Sequence, residues 1–432
     1  MGQPDPQVTH VQMLPWGPAG IRFDLRHVLA RRFGRGAVYR VLSLLVTVLL
    51  ALPILVERLL GGLRSQWSWA IPALLRGKGM VQRGEVELVF STGGVFSAHL
   101  AGYWLKRWTG CRWIVEVHDP LVIPGRAPQG RHERFLARLE ERICRHADLA
   151  WWFTDGALAA ARRRHPELGE RGIVVLPGAE PPVLRTEYQR GPLCVFGHFG
   201  SLSPTRSLAP ALEAIALLLR RDPSLRELLR LEVYGSALDP QAAQLVESLN
   251  LAGMVLPIGR LEFDPATGLS GRARVMQRMQ QCDVLLMMHG DMAEAGEYIP
   301  SKLYEYFWAR RPVLALTCEN AQLDALVVGH GGWVAPTRDI PAVAEALAAA
   351  IDRWREGGLP DVNVDDRQIA QALVILLNNA LDATGGTPSR VLLRVRKNTS
   401  TAGVVSSPPN RSGAMYAIEP ICVPVMVSLE SP

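Results

Sequence analysis

From about residue 86 onward the chain alternates short apolar runs with longer stretches whose apolar residues recur three or four positions apart, the patterns of strand and helix. Runs at 86–90, 113–117, 149–153 and 173–176 predict four strands. Between them, Ser91-Thr92-Gly93-Gly94 turns the chain into a helix through Trp108, a second helix is expected over 131–146, and Thr154-Asp155 supplies a cap for a third. A linker rich in Pro, Gly and charge, 178–192, precedes a second series, with strands predicted at 193–196, 231–234, 254–258, 283–288, 313–316 and 333–335. Strands that alternate with helices build parallel sheets, so the expected class is α/β. The expected organisation is two facing Rossmann-like domains, 1–182 and 183–383, with ligands beyond the carboxyl ends of the strands in the cleft between them. Residues 384–432, rich in Ser, Pro, Gly and basic side chains, are expected to be largely disordered.

One earlier segment breaks this rhythm. Residues 41–56 form a 16-residue run without a charge, closed by Arg40 on one side and Glu57-Arg58 on the other, and interrupted by Pro53. That is short of the roughly 20 residues a membrane span needs. With Arg31, Arg32, Arg35 and Arg40 close by, an interfacial helix and a core helix are both compatible with the pattern, and a span is the third reading. The charged, proline-containing stretch ahead of the run does not read as a signal peptide.

Charge and cysteine usage narrow the class. The net charge is +6, yet only four of the 47 basic residues are lysines, and no block of Lys/Arg interleaved with aromatics occurs. No nucleic-acid partner is expected, and an anionic membrane surface fits the charge better. Six scattered cysteines argue against a zinc site and a disulfide framework and fit a reducing compartment; with the charge and the apolar run, the expected location is the cytoplasm, peripheral on the inner face of the plasma membrane. Without paired His ligands, an Asp-x-Asp loop or a Ser-His-Asp order, hydrolase and metal-dependent readings lack support.

The densest chemistry lies between Glu297 and Thr317. A helix is expected from near Ser301, which places Glu297 in a loop and Glu305 within the helix. Unpaired N–H groups at the helix start, with Lys302 in the first turn, make a phosphate cradle flanked by two carboxylates, a combination suited to a nucleotide-sugar. The spacing alone also occurs by chance in α/β proteins. Residues 196–208 read as a strand, a glycine loop and a helix from Leu208, in which Gly200 lets the backbone approach a diphosphate and Arg206 at the helix start neutralises it, although a glycine turn before a helix is also ordinary architecture. Gly235 ends another strand. In the first series, His118 and Asp119 follow a strand, where a histidine serves as a packed or capping residue or as a contact to ligand, and Gly93 and Gly94 open a helix.

The stretch Pro300-Ser301-Lys302-Leu303-Tyr304-Glu305-Tyr306, followed by Ala309-Arg310-Arg311-Pro312-Val313-Leu314-Ala315, closely resembles the donor-site segment of family-4 glycosyltransferases of the GT-B fold. More weakly, the resemblance extends over residues 86–381. It implies retaining transfer of a sugar from a nucleotide-sugar to a sugar or lipid-linked acceptor, in polysaccharide or glycolipid assembly, without metal or cofactor. It further implies that Glu297 and His118 contact the donor sugar and that Glu305 binds ribose. Gly235 would line the base pocket, and Gly93, Gly94 and Asp119 would belong to the acceptor side. Two departures stand out: at the donor loop Ser201 replaces a family arginine, for which Arg260 after Gly259 would substitute from a neighbouring loop, and the family's first β–α unit is not recognisable ahead of the apolar run. A nucleotide-sugar epimerase of the same fold and a non-catalytic, membrane-docked homologue are the alternatives. A nicotinamide dehydrogenase is disfavoured because no G-x-G-x-x-G follows a strand.

Overall fold

The computed structural model describes residues 13–359 apart from 35, 62–64, 93–95, 180, 181, 183 and 236, together with the backbone of 390–394 and 426–430. Gly93 and Gly94 therefore lie outside the described residues. The chain divides into two compact units, Met1–Val175 and Leu176–Pro432.

Unit 1 begins with four helices, α1 (Pro18–Phe33), α2 (Ala37–Leu49), α3 (Ala51–Gly61) and α4 (Ala70–Gln82). An alternating series follows: β1 (Leu88–Thr92), α5 (Phe96–Thr109), β2 (Arg112–Val117), α6 (Gly130–His146), β3 (Leu149–Trp152), α7 (Asp155–Arg164) and β4 (Gly172–Val174). The strands are all parallel, in the order β1-β2-β3-β4. The core is built from alternate residues of β2, Trp113, Val115 and Val117, packed against Leu139 and Ile143 of α6. Gly102 of α5 lets that packing close, since a Cβ there would lie 2.3 Å from the Trp113 indole nitrogen. Thr154 caps α7 as expected, accepting from Ala157 N at 3.1 Å, a contact of about 1 kcal/mol. Glu140 is buried on α6, held by Arg164 at 2.7 Å and His165 at 3.3 Å. Burial pushes its carboxyl up, but the bonds and charges of His165 and Arg164 outweigh that and hold it below the usual carboxylate range.

The run 41–56 is not a core helix. It is split by a break at Leu50 between α2 and α3, and among the described side chains of these two helices only Ser43 and Ile54 are buried.

Unit 2 continues the alternation with β5 (Cys194–Gly200), α8 (Ala209–Arg221), α9 (Leu225–Leu228), β6 (Leu229–Gly235), α10 (Pro240–Ser248), β7 (Val255–Gly259) and α11 (Gly271–Gln281). It closes with β8 (Val284–Met288), α12 (Lys302–Trp308), β9 (Val313–Thr317), α13 (Ala321–Gly329), β10 (Trp333–Pro336) and α14 (Ile340–Arg355). The sheet order is β10-β9-β8-β5-β6-β7, again all parallel. β8 and β9 are buried at every residue, because clusters of apolar side chains cover both faces of the sheet. β5 runs four residues beyond the expected 193–196, so Gly197 to Gly200 are strand rather than loop. Gly197 is required there: a Cβ would meet the Cys282 sulfur at 2.5 Å. In the segment expected to be disordered, the two described pieces pair as antiparallel strands β11 (Arg390–Arg394) and β12 (Met426–Glu430).

Candidate functional site

Counted from β5, the order of the large sheet is 3-2-1-4-5-6, and successive connections reverse direction between β5 and β8. A parallel sheet opens a crevice at the carboxyl ends of the two strands that flank such a reversal. Here those ends are Gly200 of β5 and Met288 of β8, followed by the loops 201–208 and 289–301.

Several close contacts fix the two loops. Ser203 and Arg206 exchange backbone hydrogen bonds around Pro204-Thr205, making a tight turn, and Asp291 N donates to Thr205 O at 3.0 Å. Gly290, with φ 97°, sits 2.9 Å from Thr205 O at the position a Cβ would occupy, so the loops approach backbone to backbone. Gly235 ends β6 beside Gly200 in register, and a Cβ on it would lie 2.5 Å from Gly200 O. Gly200, Ser201, Arg206 and Gly235 are thus brought to one strand-end region.

Arg206 lies in that turn, three residues ahead of α8, and not at the helix start. It hydrogen-bonds the Tyr298 hydroxyl, which also donates to His289 O, while its Nε is buried without a partner. The N-terminus of α8 itself is already occupied. The buried Asp239 carboxylate accepts from Leu208 N at 3.2 Å and from Ser207 Oγ at 2.7 Å, and it also caps α10 through Ala242 N. An internal anion therefore fills the position where a dinucleotide-binding fold would place phosphate. That leaves Arg206 and the 289–302 loop to face any phosphate.

Glu297 is 8% exposed, in a short 3₁₀ turn, Ala295–Glu297. His289 and Asn320 hold this turn. His289 Nε2–H donates to Tyr298 O at 3.1 Å while its Nδ1 accepts from Cys318 N at 3.3 Å; Asn320 Nδ2 donates to Ala295 O and Tyr298 O at 2.9 and 2.7 Å. Burial pushes the His289 imidazole down, which suits the neutral form these two bonds require.

The helix expected near Ser301 is α12, only seven residues long, with Ser301 exposed and making no side-chain cap. Lys302 donates to Glu305 at 2.5 Å, so the two predicted donor-site residues form an ion pair, with Arg272 at 3.9 Å from the other Glu305 oxygen. Arg311, in the adjoining Arg310-Arg311-Pro312 stretch, is structural: it is buried, donates to Cys282 O at 3.0 Å and stacks over the Tyr188 ring at 3.5 Å. Arg260 is exposed after β7, two strands from β5 and so about 10 Å away along the sheet.

His198 was not singled out by the sequence pattern. It is 4% exposed on β5, two residues before Gly200. Its Nδ1–H donates to Leu286 O at 3.1 Å, which leaves Nε2 a bare lone pair with no partner. Burial first, then the charges of Arg206 and Lys302, push its pKa down to about 4. His198 thus lies within the field of both cations. A histidine interrupting an apolar strand beside glycines was the available signal. Beneath it, Tyr306 accepts from Phe199 N at 3.0 Å and donates to Leu286 O at 3.3 Å, tying α12 to the end of β5.

In unit 1, His118 follows β2 and its Nε2 lies 2.6 Å from Glu116 Oε1 and 3.2 Å from Thr92 Oγ1; Thr92 Oγ1 in turn donates to Glu116 Oε2 at 2.9 Å. Glu116 and His118 sit two apart on one face of the chain, which the spacing allowed but did not demand. Asp119 is exposed beside them. Among the described residues no group of three or more His, Cys, Asp or Glu side chains is placed to hold a metal ion.

No family profile matches the chain. No curated protein matches it either. Among solved structures, Anabaena HepE in complex with UDP and glucose is 16% identical with a TM-score of 0.47, over 72% of this chain and 81% of that one. The α,α-trehalose-phosphate synthase (UDP-forming) of Burkholderia xenovorans, in complex with glucose-6-phosphate, is 15% identical with a TM-score of 0.48, over 74% and 77%. TarM of S. aureus is 12% identical with a TM-score of 0.48, and this chain spans 57% of its length. At TM-scores below 0.5 and identities of 12–16%, these likenesses carry no argument about this chain.

Proposed function

We propose that the chain is a GT-B glycosyltransferase of the family-4 type that moves a sugar, with retention, from a nucleotide-sugar donor to a sugar or lipid-linked acceptor in polysaccharide or glycolipid assembly. One observation carries this reading: at the switch point of the large sheet the loops 201–208 and 289–301 meet backbone to backbone at Thr205 and Gly290, and they carry Arg206 and Glu297 and lead into Lys302 and Glu305 of α12. Cations at the carboxyl end of a parallel sheet suit a diphosphate, and carboxylates beside them suit sugar hydroxyls.

In the reaction, the bond from the anomeric carbon to the donor phosphate oxygen breaks and the acceptor hydroxyl adds to that carbon from the same face, passing its proton to the departing phosphate oxygen. The nucleoside diphosphate leaves with the bonding pair. Arg206 and Lys302 stabilise that developing negative charge. Lys302 has three donors and spends one on Glu305, so it can hold ribose-binding Glu305 and a phosphate oxygen together. Glu297, fixed by the His289 and Asn320 bonds, binds the donor sugar. No metal or cofactor enters this proposal. The enzyme would work on the cytoplasmic side of a membrane, a location to which the uncharged apolar segment beside an arginine cluster lends support.

The test is a thermal-shift screen across nucleoside diphosphates, in which a ligand at 100 times its Kd adds about 2.7 kcal/mol of stability. Glu305→Ala is expected to weaken the best nucleotide by about 1.5–3 kcal/mol. A folded Glu305→Ala protein with unchanged affinity would remove Glu305 from the site. Release of a new glycoside only when an acceptor is present separates a transferase from an epimerase; nucleotide binding without turnover would favour the non-catalytic homologue.

A further inference from the structure

The helices α2 and α3 present an apolar stripe to the outside instead of to a core. Val41, Leu44, Leu45, Val48, Leu52, Leu55 and Leu59 recur at helical spacing across the break, and all are exposed; Leu45 and Leu52 are 52% and 69% accessible. A polar outer face is the rule for a helix at a protein surface, so this arrangement needs a partner that is itself apolar. Among the described residues no single helix is long and apolar enough to cross a membrane; α2 and α3 reach that length and composition only as a pair, and the pair is bent by 48°.

The neighbouring helix decides how such a partner is met. Near its N-terminus α1 is held by Glu57 of α3, which accepts from Ala19 N at 2.8 Å and from Trp67 Nε1 at 2.8 Å, while its C-terminus leads directly into α2. α1 therefore runs antiparallel alongside both members of the bent pair. It carries Arg22, Arg26, Arg31 and Arg32, with Asp24 as its one carboxylate. If α2 and α3 crossed a bilayer, α1 would have to cross with them and take these arginines through the hydrocarbon. If the pair lies in the plane of one leaflet, the same arginines stay at the level of the lipid phosphates.

We infer that α1–α3 form a monotopic docking module for an anionic phospholipid bilayer, with the α2–α3 stripe sunk into the acyl boundary of one leaflet and the α1 arginines on its headgroups. Charge favours lipid over a second copy of the chain, because two such faces brought together would also juxtapose two arginine clusters, whereas anionic headgroups attract them. The inference stands on unit 1 alone and does not depend on the donor site.

The experiment is flotation of the whole protein with vesicles of 3:1 phosphatidylcholine and phosphatidylglycerol, against phosphatidylcholine alone. Wild type is expected to float with the mixed vesicles, to bind the neutral ones about 10-fold more weakly, and to lose a similar factor in high salt. The double variant Leu45→Glu/Leu52→Glu changes two exposed positions, so its melting temperature should match wild type while its partitioning falls about 100-fold. Depth is read with nitroxides at Leu45→Cys and Arg26→Cys, in a background where Cys318 and Cys422 are replaced by serine. The first label should lie in hydrocarbon and the second at the headgroups. Failure to float with either vesicle, undiminished binding by the double variant, or an Arg26 label at hydrocarbon depth would each overturn the inference. So would a soluble oligomer that ignores vesicles and dissociates when Leu45 and Leu52 are replaced. Nucleotide binding serves as the separate control: its loss would count against the donor site and leave the docking module standing.

Discussion

The two units share one construction rule and differ in strand order. In unit 1 the described strands run β1-β2-β3-β4 in sequence, so every connection steps the same way and no reversal opens between neighbours. In unit 2 the order reverses between β5 and β8, and the loops after those strands are the ones that carry Arg206, Glu297 and Lys302. The contrast extends to how polar groups are treated. Unit 1 spends its buried carboxylate, Glu140, on an ion pair that locks α6 to the end of α7. Unit 2 leaves His198 Nε2 and Arg206 Nε buried without partners at the switch point. Unpartnered buried polar atoms are costly, and where they cluster they point to a ligand or a bound water more readily than to architecture.

If that contrast is sound, the largest effect of a single substitution should fall on the unit 1 pair. Glu140→Ala removes the buried carboxylate that Arg164 and His165 share and is expected to cost about 4 kcal/mol, read as a lowered urea midpoint, with no selective effect on nucleotide affinity. Acid should act on the same pair: a carboxyl held below its usual range stabilises the fold above the unfolded pKa and loses that contribution as pH falls through the folded one.

Gly235→Ala tests the close approach of strands in unit 2. Its φ of 108° and the 2.5 Å separation from Gly200 O predict a loss of about 3 kcal/mol together with weakened nucleotide binding. A fully stable Gly235→Ala protein with wild-type affinity would show that the strand ends have room the backbone geometry denies them.

Next in size is Arg206→Ala. It should weaken a nucleoside diphosphate by about 2 kcal/mol, the range for hydrogen bonds to a charged group, and leave the nucleoside nearly unaffected. Equal losses for both ligands, measured by calorimetry, would indicate a folding defect instead.

The smallest effect concerns His198. Its folded pKa of about 4 lies below the ordinary 6.5, so the unfolded chain takes up a proton that the folded chain refuses. Stability from this group is complete above pH 6.5 and declines as pH falls toward 4, with a slope of at most about 1.4 kcal/mol per pH unit. Melts between pH 7 and 5 should flatten in His198→Gln. An unchanged slope would mean the imidazole is not held neutral.

Much of the architecture was legible along the chain. The apolar runs located all ten strands of the two sheets to within a few residues, because a strand covered on both faces must be nearly continuous in Val, Ile and Leu. Thr154 announced its cap, since a hydroxyl before an apolar helix has a local donor to satisfy. The carboxylates and the glycines of the large sheet were equally visible, because residue type and spacing are one-dimensional properties.

What the sequence by itself determined is therefore the class, two successive parallel α/β series, and the cast of residues at the strand ends. Tertiary structure decided their partners. Only the fold shows that Lys302 pairs with Glu305, that Asp239 fills the N-terminus of α8, that His289 and Asn320 hold the Glu297 turn, and that the run 41–56 faces outward beside the α1 arginines. The physical reason is range. A strand or a cap is chosen by neighbours a few positions away, whereas an ion pair, an occupied helix terminus or an uncovered apolar face depends on which distant segment the chain brings against it.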